Sequence, residues 1–409
     1  MLEGIPENVE VIDAGLFNRN SGPEFFNAKL RIGGTLWVGN VVTLEKCSDW
    51  YLKCFDKNVK YNNVVLAVVL EDDGDIMNSQ GDMVNYIVPR IPEKVKVNYR
   101  NLIDNDCSEC LRYNAENGSF LMYHSWMAAL QTEWMEEASE KCRKLYDELG
   151  SWQVTHFVML ARQFGFGVND DMFEKWAKRL SFDVIGQYRD DLFQLEALLL
   201  GQAGLLNLEA VPSEYQKKAL NEGYLAKLRN EFLYLSHKHN LKPVDYRQWI
   251  SAPNAHYSPQ RCISWLAYYI YMRMENHANG EVFDYDRLKK AYDVKVSPYW
   301  KTHSQFGKEY DYGEKLRQML PNDLVVYVDV PFYFAFGRKA QKEDCCDHAF
   351  DLMEQGNVLV GSTVRKFRSF GFRLDNAGDS LGAIQLKNEY CCKKRCLRCR
   401  FGYEYIKNK

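Results

Sequence analysis

Pro23-Glu24 stands just ahead of one run of strand-forming residues, and Glu45 lies near the end of the next. A carboxylate at the end of one strand, with an acid and a lysine or histidine two residues apart on its neighbour, can face one Mg²⁺. The spacing of two matters because alternate side chains of a strand share a face. The ion polarises a phosphoryl oxygen and lowers the pKa of the attacking water, while the basic residue positions that water. That is the chemistry of phosphodiester hydrolysis, and Glu24 with Glu45 or Asp13 is the set of acids this chain brings to it. The second run supplies little else. Val42 and Leu44 share one face, Thr43 and Glu45 the other, and Lys46 points away from the one acid-x-polar pair in reach, Glu45 with Cys47. The competing reading is a plain hairpin with Glu24 in a solvated turn.

A second candidate lies at the C-terminus. Cys391, Cys392, Cys396 and Cys399 fall within nine residues, and Cys396-Leu-Arg-Cys399 has the spacing that sets two thiolates on one metal. Cys107-Ser-Glu-Cys110 repeats that spacing far upstream. Cys391, Cys396, Cys399 and one of Cys107 or Cys110 are the expected ligands of a structural zinc ion or an iron–sulfur cluster, with ordinary reduced thiols as the alternative. The same stretch is basic: Lys387 to Lys409 holds eight Lys or Arg against two Glu. Lys393, Lys394, Arg395, Arg398 and Arg400 are candidate phosphate contacts, and the interleaved Tyr390, Phe401, Tyr403 and Tyr405 offer faces for unpaired bases. A solvated basic surface is the alternative.

Three blocks of sequence must position these residues. Up to about residue 100, "NVEVID", "NAKLRI", "TLWVGNVVTL", "NNVVLAVVLED" and "MVNYIVPRI" read as strands, with Gly33-Gly34 as a two-residue hairpin turn. "SDWYLKCFDKN" reads as a short helix between strands. Residues 101–295 carry helical periodicity, with a serine cap before "WQVTHFVMLARQ" and glycine stops. Residues 296–409 are mixed, with "DLVVYVDVPFYFAFG" read as a strand entering an aromatic segment and "HAFDLMEQG" and "SLGAIQLKNEY" as short helices.

The 409 residues suffice for two or three domains, and a net charge of −3 leaves nucleic-acid binding to a local patch rather than to the whole molecule. The N-terminus lacks the basic and apolar regions of a signal peptide, and no apolar run approaches the roughly 18 residues of a membrane span. Twelve cysteines without a secretion signal predict reduced thiols in the cytoplasm. The histidines are scattered; His124, His156 and His256 lie in or beside apolar stretches and read as satisfied residues rather than ligands. Arg261, opening a helix after Pro259, reads as a structural contact or an anion contact. Nucleotide loops, the serine-hydrolase elbow and the zinc-protease motif do not occur.

The stretch "VIDAGLFNRNSGPEFFNAKLRIGGTLWVGNV" with the following "SDWY" resembles a bacterial domain-of-unknown-function family, number 2851. The resemblance continues through "LARQFGFGVNDDMFEKWA", "LEALLLGQAGLL" and "LKNEYCCKKRCLRC", so it spans nearly the whole chain. Members usually carry Pro-Asp, then Gly-x-Val-Glu-x-His, a pattern similar to the PD-(D/E)XK nucleases with histidine in the lysine place. Here Glu24 replaces the aspartate, Val42 the glutamate and Leu44 the histidine. Lys53, Phe55 and Ala67 stand where further histidines are usual. The layout of one early and three late cysteines is similar to that of iron–sulfur helicase-nucleases, with different spacing.

The resemblance implies an α/β, multidomain chain: a restriction-endonuclease-like mixed sheet (1–100), a helical domain (101–295) and a small cysteine-bearing module (296–409). It implies a degenerate, non-catalytic nuclease-like protein that binds nucleic acid or a protein partner. An active Mg²⁺-dependent nuclease, and an interaction scaffold with no nucleic-acid role, are the alternatives.

Overall fold

The computed structural model describes residues 9–18, 21–251, 257–273, 281–293, 295–310 and 320–409. Mixed sheet comes first and helices follow, as an α/β chain requires. The polypeptide divides into two compact units, one of residues 1–110 with 396–409, the other of residues 111–395. The segment expected to form a C-terminal module, 296–409, is therefore shared between them.

In the first unit the strands are β1 (Val9–Asp13), β2 (Leu16–Phe17), β3 (Phe25–Ile32), β4 (Thr35–Lys46), β5 (Val64–Glu71) and β6 (Tyr86–Ile87). The sheet order is β1-β3-β4-β5-β6, with β2 pairing β3. Both Gly33 and Gly34 have positive φ, +56° and +85°, which the tight turn between β3 and β4 demands. β3 and β4 are antiparallel, whereas β5 runs parallel to β4 and β6 parallel to β5. A parallel partner needs a crossover, and the short helix Asp49–Leu52 with two 3₁₀ turns provides it. Alternation divides the sheet into two apolar layers. Val42, Leu44, Ala67 and Val69 pack on one side with Cys47, Trp50, Tyr61, Ile76 and Val84. Val9, Ala28, Leu30, Val41, Leu66 and Ile87 form the other. The basic C-terminal stretch ends in a helix, Arg400–Asn408, which packs on the helix Glu93–Asp104 and accepts a hydrogen bond from Asn98 Nδ2 at Ile406 O, 3.2 Å.

The second unit is helical around one large core. Its longest helix, Phe120–Leu149, starts at Ser119, whose Oγ accepts from the Met122 amide, and stops at Gly150 in the left-handed region. The helix Trp152–Gln163 follows from a Ser151 cap, as the sequence predicts. "SEYQKKALNEGYLAKLRNEFLYLSHKH" becomes two helices, Ser213–Glu222 and Tyr224–His239, divided at Gly223. A two-stranded hairpin pairs His303–Gln305 with Lys308–Glu309.

One element departs from expectation. "DLVVYVDVPFYFAFG" is not a strand but a helix: Leu320–Leu324, a π turn Val325–Asp329, then Val330–Ala340. Nearly every side chain of that run is buried on all sides, and a continuous apolar run carries no periodicity to separate a core strand from a core helix. Pro331 has no amide to give the carbonyl four residues back, and the π turn re-registers the ladder just before it. No helix among the described residues is long and apolar enough to cross a membrane.

Candidate functional site

Glu24, just before β3, is half-buried, and its Oε2 accepts a hydrogen bond from the Thr43 amide of β4 at 3.1 Å. The carboxylate that begins the expected metal site therefore satisfies strand backbone. Asp13, at the end of β1, is exposed, and its Oδ1 accepts from the Gly15 amide at 2.9 Å, a local turn. Glu45 is exposed on the face opposite Leu44. The side of β4 that would carry the other ligands is apolar and sealed. Val42 lies opposite Ala67 and Leu44 opposite Val69 in the parallel register, and Val42 has no exposed surface. Over them sit Trp50, whose Nε1 donates to Met77 O at 2.8 Å, and the stacked rings of Phe55 and Tyr61, 3.8 Å apart.

Four positions at which the resemblance expects an acid or a histidine, Val42, Leu44, Phe55 and Ala67, thus meet in one cluster; the fifth, Lys53, is exposed. Glu24 borders the same cluster. Burial pushes the Tyr61 phenol up, and the Glu24 carboxylate adds to it. What assembles there is core packing.

The cysteines are distributed between the units. Cys107, Cys110, Cys396 and Cys399 belong to the sheet unit, Cys391 to the helical one. Cys107 directly precedes the helix Ser108–Asn117, Cys399 caps the helix Arg400–Asn408, and the Cys399 amide donates to Cys396 O at 3.2 Å. Burial raises the Tyr405 phenol, and the neighbouring Cys110 thiol adds to that shift.

The basic residues are partly spoken for. Lys393 and Arg395 both pair with Glu389, at 2.6 and 3.3 Å, and Lys393 is the main reason that this carboxyl sits below its usual range. Arg398 lies over the Phe17 ring, 4.2 Å from its centroid. Lys394 sits in a left-handed turn, and Arg400 opens the terminal helix. Of the aromatics meant for stacking, Phe401 and Tyr405 are buried, Tyr390 donates to Glu133, and Tyr403 is half-exposed.

The helical unit holds polar groups that the sequence did not single out. Asp329, fully buried at the end of the π turn, has His156 Nε2 at 2.8 Å and is hydrogen-bonded by Tyr292. Burial pushes the His156 imidazole down to about 3, so it is neutral there. Glu196, also buried, accepts from the Tyr224 hydroxyl and from Ser297 Oγ, the latter at 3.2 Å, and burial raises its pKa. Both are internal ties between distant segments. His124 is exposed against the Phe120 ring, Arg261 donates to Trp300 O at 3.3 Å, and His256 lies outside the described residues.

Among the described residues one group of ligating atoms does converge: Glu222, His303 and Glu309, each offering an atom within 4.8 Å of the others. Glu222 ends a helix, and His303 and Glu309 are cross-strand partners of the small hairpin. Sequence reading missed them because 81 residues separate Glu222 from His303.

No curated protein and no solved structure matches the chain. A family model does match, over residues 4–358; its description is "Protein of unknown function (DUF2851)".

Proposed function

The chain belongs to that family, DUF2851, and from this premise we propose that it is a nuclease-like scaffold that has exchanged its metal ligands for core packing and works by binding. The observation that carries the reading is the apolar cluster of Val42, Leu44, Ala67 and Phe55, at the positions where a PD-(D/E)XK site would place its acid and histidines. Support for the scaffold comes from the antiparallel β3–β4 hairpin followed by a helical crossover to a parallel β5. A single half-buried carboxylate already bonded to a backbone amide cannot hold Mg²⁺ and activate water by itself.

Nucleic acid is the partner that the basic stretch fits. Lys393, Lys394, Arg395, Arg398 and Arg400 are its candidate phosphate contacts, and Glu389 offsets Lys393 and Arg395 in part. Phosphate contacts of this kind give an affinity that falls with rising salt. A structural metal belongs to the same reading: the two C-x2-C pairs, Cys107 with Cys110 and Cys396 with Cys399, lie in one compact unit, and a metal held by them would tie its terminal helix to the rest of that unit. Zinc or an iron–sulfur cluster fits four thiolates.

The test is a cleavage assay on single- and double-stranded DNA and RNA with Mg²⁺ or Mn²⁺, alongside binding titrations over a range of salt. The expected result is no cleavage, with binding that weakens as salt rises and is lost when Lys394, Arg398 and Arg400 are changed together to Gln. Cleavage abolished by Glu24→Ala would establish the active nuclease instead. Folded protein that binds no nucleic acid would leave the scaffold for a protein partner.

A further inference from the structure

The hairpin that carries His303 and Glu309 is built to lie on the helix Ser213–Glu222. Phe306 at its tip is fully buried, and Gly307, with φ +74°, lies where a Cβ would come within 2.6 Å of Tyr215 O. The same helix presents Tyr215, Lys218, Ala219 and Glu222 along one side, at helical spacing. His303 and Glu309, directly paired across the hairpin, therefore come down beside Glu222 at its C-terminal end.

Tyr299 fixes the geometry. Its ring stacks on the His303 imidazole, 4.1 Å between centroids, and its hydroxyl donates to Glu222 Oε2 at 2.6 Å. The remaining oxygen, Oε1, faces His303 Nε2 at 3.3 Å. On the other side of the ring, Nδ1 has Tyr299 O at 3.1 Å and Thr302 Oγ1 at 2.9 Å. A carbonyl oxygen only accepts, so the contact with Tyr299 O favours a proton on Nδ1, the tautomer that leaves a lone pair on Nε2. Nε2 faces Glu222 Oε1 with a lone pair in that tautomer and through its own proton in the imidazolium, and an ion bound there takes that proton's place. A backbone carbonyl on one imidazole nitrogen, with the other aimed at an acid, is the way proteins orient a metal-ligating histidine.

We propose that Glu222, His303 and Glu309 form a binding site for one divalent transition ion, with His303 Nε2, Glu222 Oε1 and a Glu309 oxygen as ligands. One imidazole with two carboxylates suits zinc or manganese. Donor atoms on a tetrahedral zinc with bonds of about 2.1 Å stand roughly 3.4 Å apart, close to the 3.3 Å between Nε2 and Oε1. Glu309 is exposed, so the fourth position opens to water. In this structure Lys218 supplies the local positive charge, 2.7 Å from Glu309 and 3.9 Å from Glu222. Its side chain is half-exposed on a flexible stem and can withdraw when an ion arrives.

The experiment uses the full chain and Mn²⁺, which thiolates hold poorly; bound and free Mn²⁺ are read by electron paramagnetic resonance, with zinc as competitor. The expected result is one saturable site that zinc displaces. Its affinity should fall roughly tenfold or more in Glu309→Gln, an exposed position where folding is not at stake, and rise in Lys218→Met. His303→Ala, checked for native circular dichroism, should abolish it. Absence of saturable Mn²⁺ binding, or the same affinity in Glu309→Gln and Lys218→Met as in the parent, overturns the proposal and leaves an imidazole–carboxylate cluster neutralised by Lys218.

Discussion

The sheet unit and the helical unit treat buried positions in opposite ways. Along β4 and β5, where the resemblance expects an acid and histidines, the buried side chains are Val42, Leu44 and Ala67. In the helical unit, Asp329 and Glu196 are just as inaccessible, yet both are acidic side chains. The difference is in the donors at hand. Asp329 has His156 and Tyr292, and Glu196 has Tyr224 and Ser297. Around Val42 and Leu44, the Trp50 indole N–H is already given to Met77 O. A buried polar group is tolerated where hydrogen bonds meet it and is costly elsewhere. The polar groups inside the helical unit thus mark structural ties, and the layer around Val42 and Leu44 is dry.

That contrast can be broken from the sheet side. Writing the expected ligands back, Val42→Glu with Leu44→His, should destabilise the protein by roughly 4 kcal/mol or more, because both groups enter a sealed apolar layer. Urea unfolding measures this, and a stable double variant that cleaves DNA with Mg²⁺ would mean that the layer opens readily. From the helical side, Asp329→Ala strips His156 and Tyr292 of their shared acceptor; a loss of about 3 kcal/mol is expected by the same measurement.

Asp323 sharpens the comparison through pH. Burial raises its carboxyl from 3.8 to about 6. Its folded pKa lies above its unfolded one, so its stabilising contribution is full below about pH 4 and is lost as pH rises through about 6. Asp323→Asn should therefore match the parent at pH 4 and exceed it by about 2 kcal/mol at pH 8; parallel denaturation curves at the two values would remove burial as the cause. The smallest effect belongs to Glu24. Its single bond to the Thr43 amide at a half-buried site predicts about 1 kcal/mol lost in Glu24→Ala, with the apolar layer unchanged.

Much of the fold is legible in the residues. Alternation across Ala28, Leu30 and Ile32 places a strand, two glycines place its turn, and a serine cap places the start of the helix Trp152–Gln163. The two faces of β4 also follow from alternation, so the dry side of the strand is readable from its residues alone. The run from Asp323 to Gly337 is not readable, because an all-apolar segment has no period to display. Nor is the burial of Phe401 and Tyr405, whose basic neighbours suggest an open tail: helical spacing gathers Phe401, Tyr405 and Ile406 against the helix Glu93–Asp104, while the charged side chains face away.

By itself the sequence determined what is local: strand and helix segments, their caps and turns, and the apolar side chains at Val42 and Leu44 on one face of β4. These follow from backbone preferences and the period of the side chains, which act over a few residues. The tertiary structure decided which distant groups meet. It gathered Val42, Phe55 and Ala67 into one layer, joined His156 to Asp329, and set Glu222 beside His303 and Glu309. No local preference specifies those meetings, since they arise only when packing of the whole core brings the chain segments together.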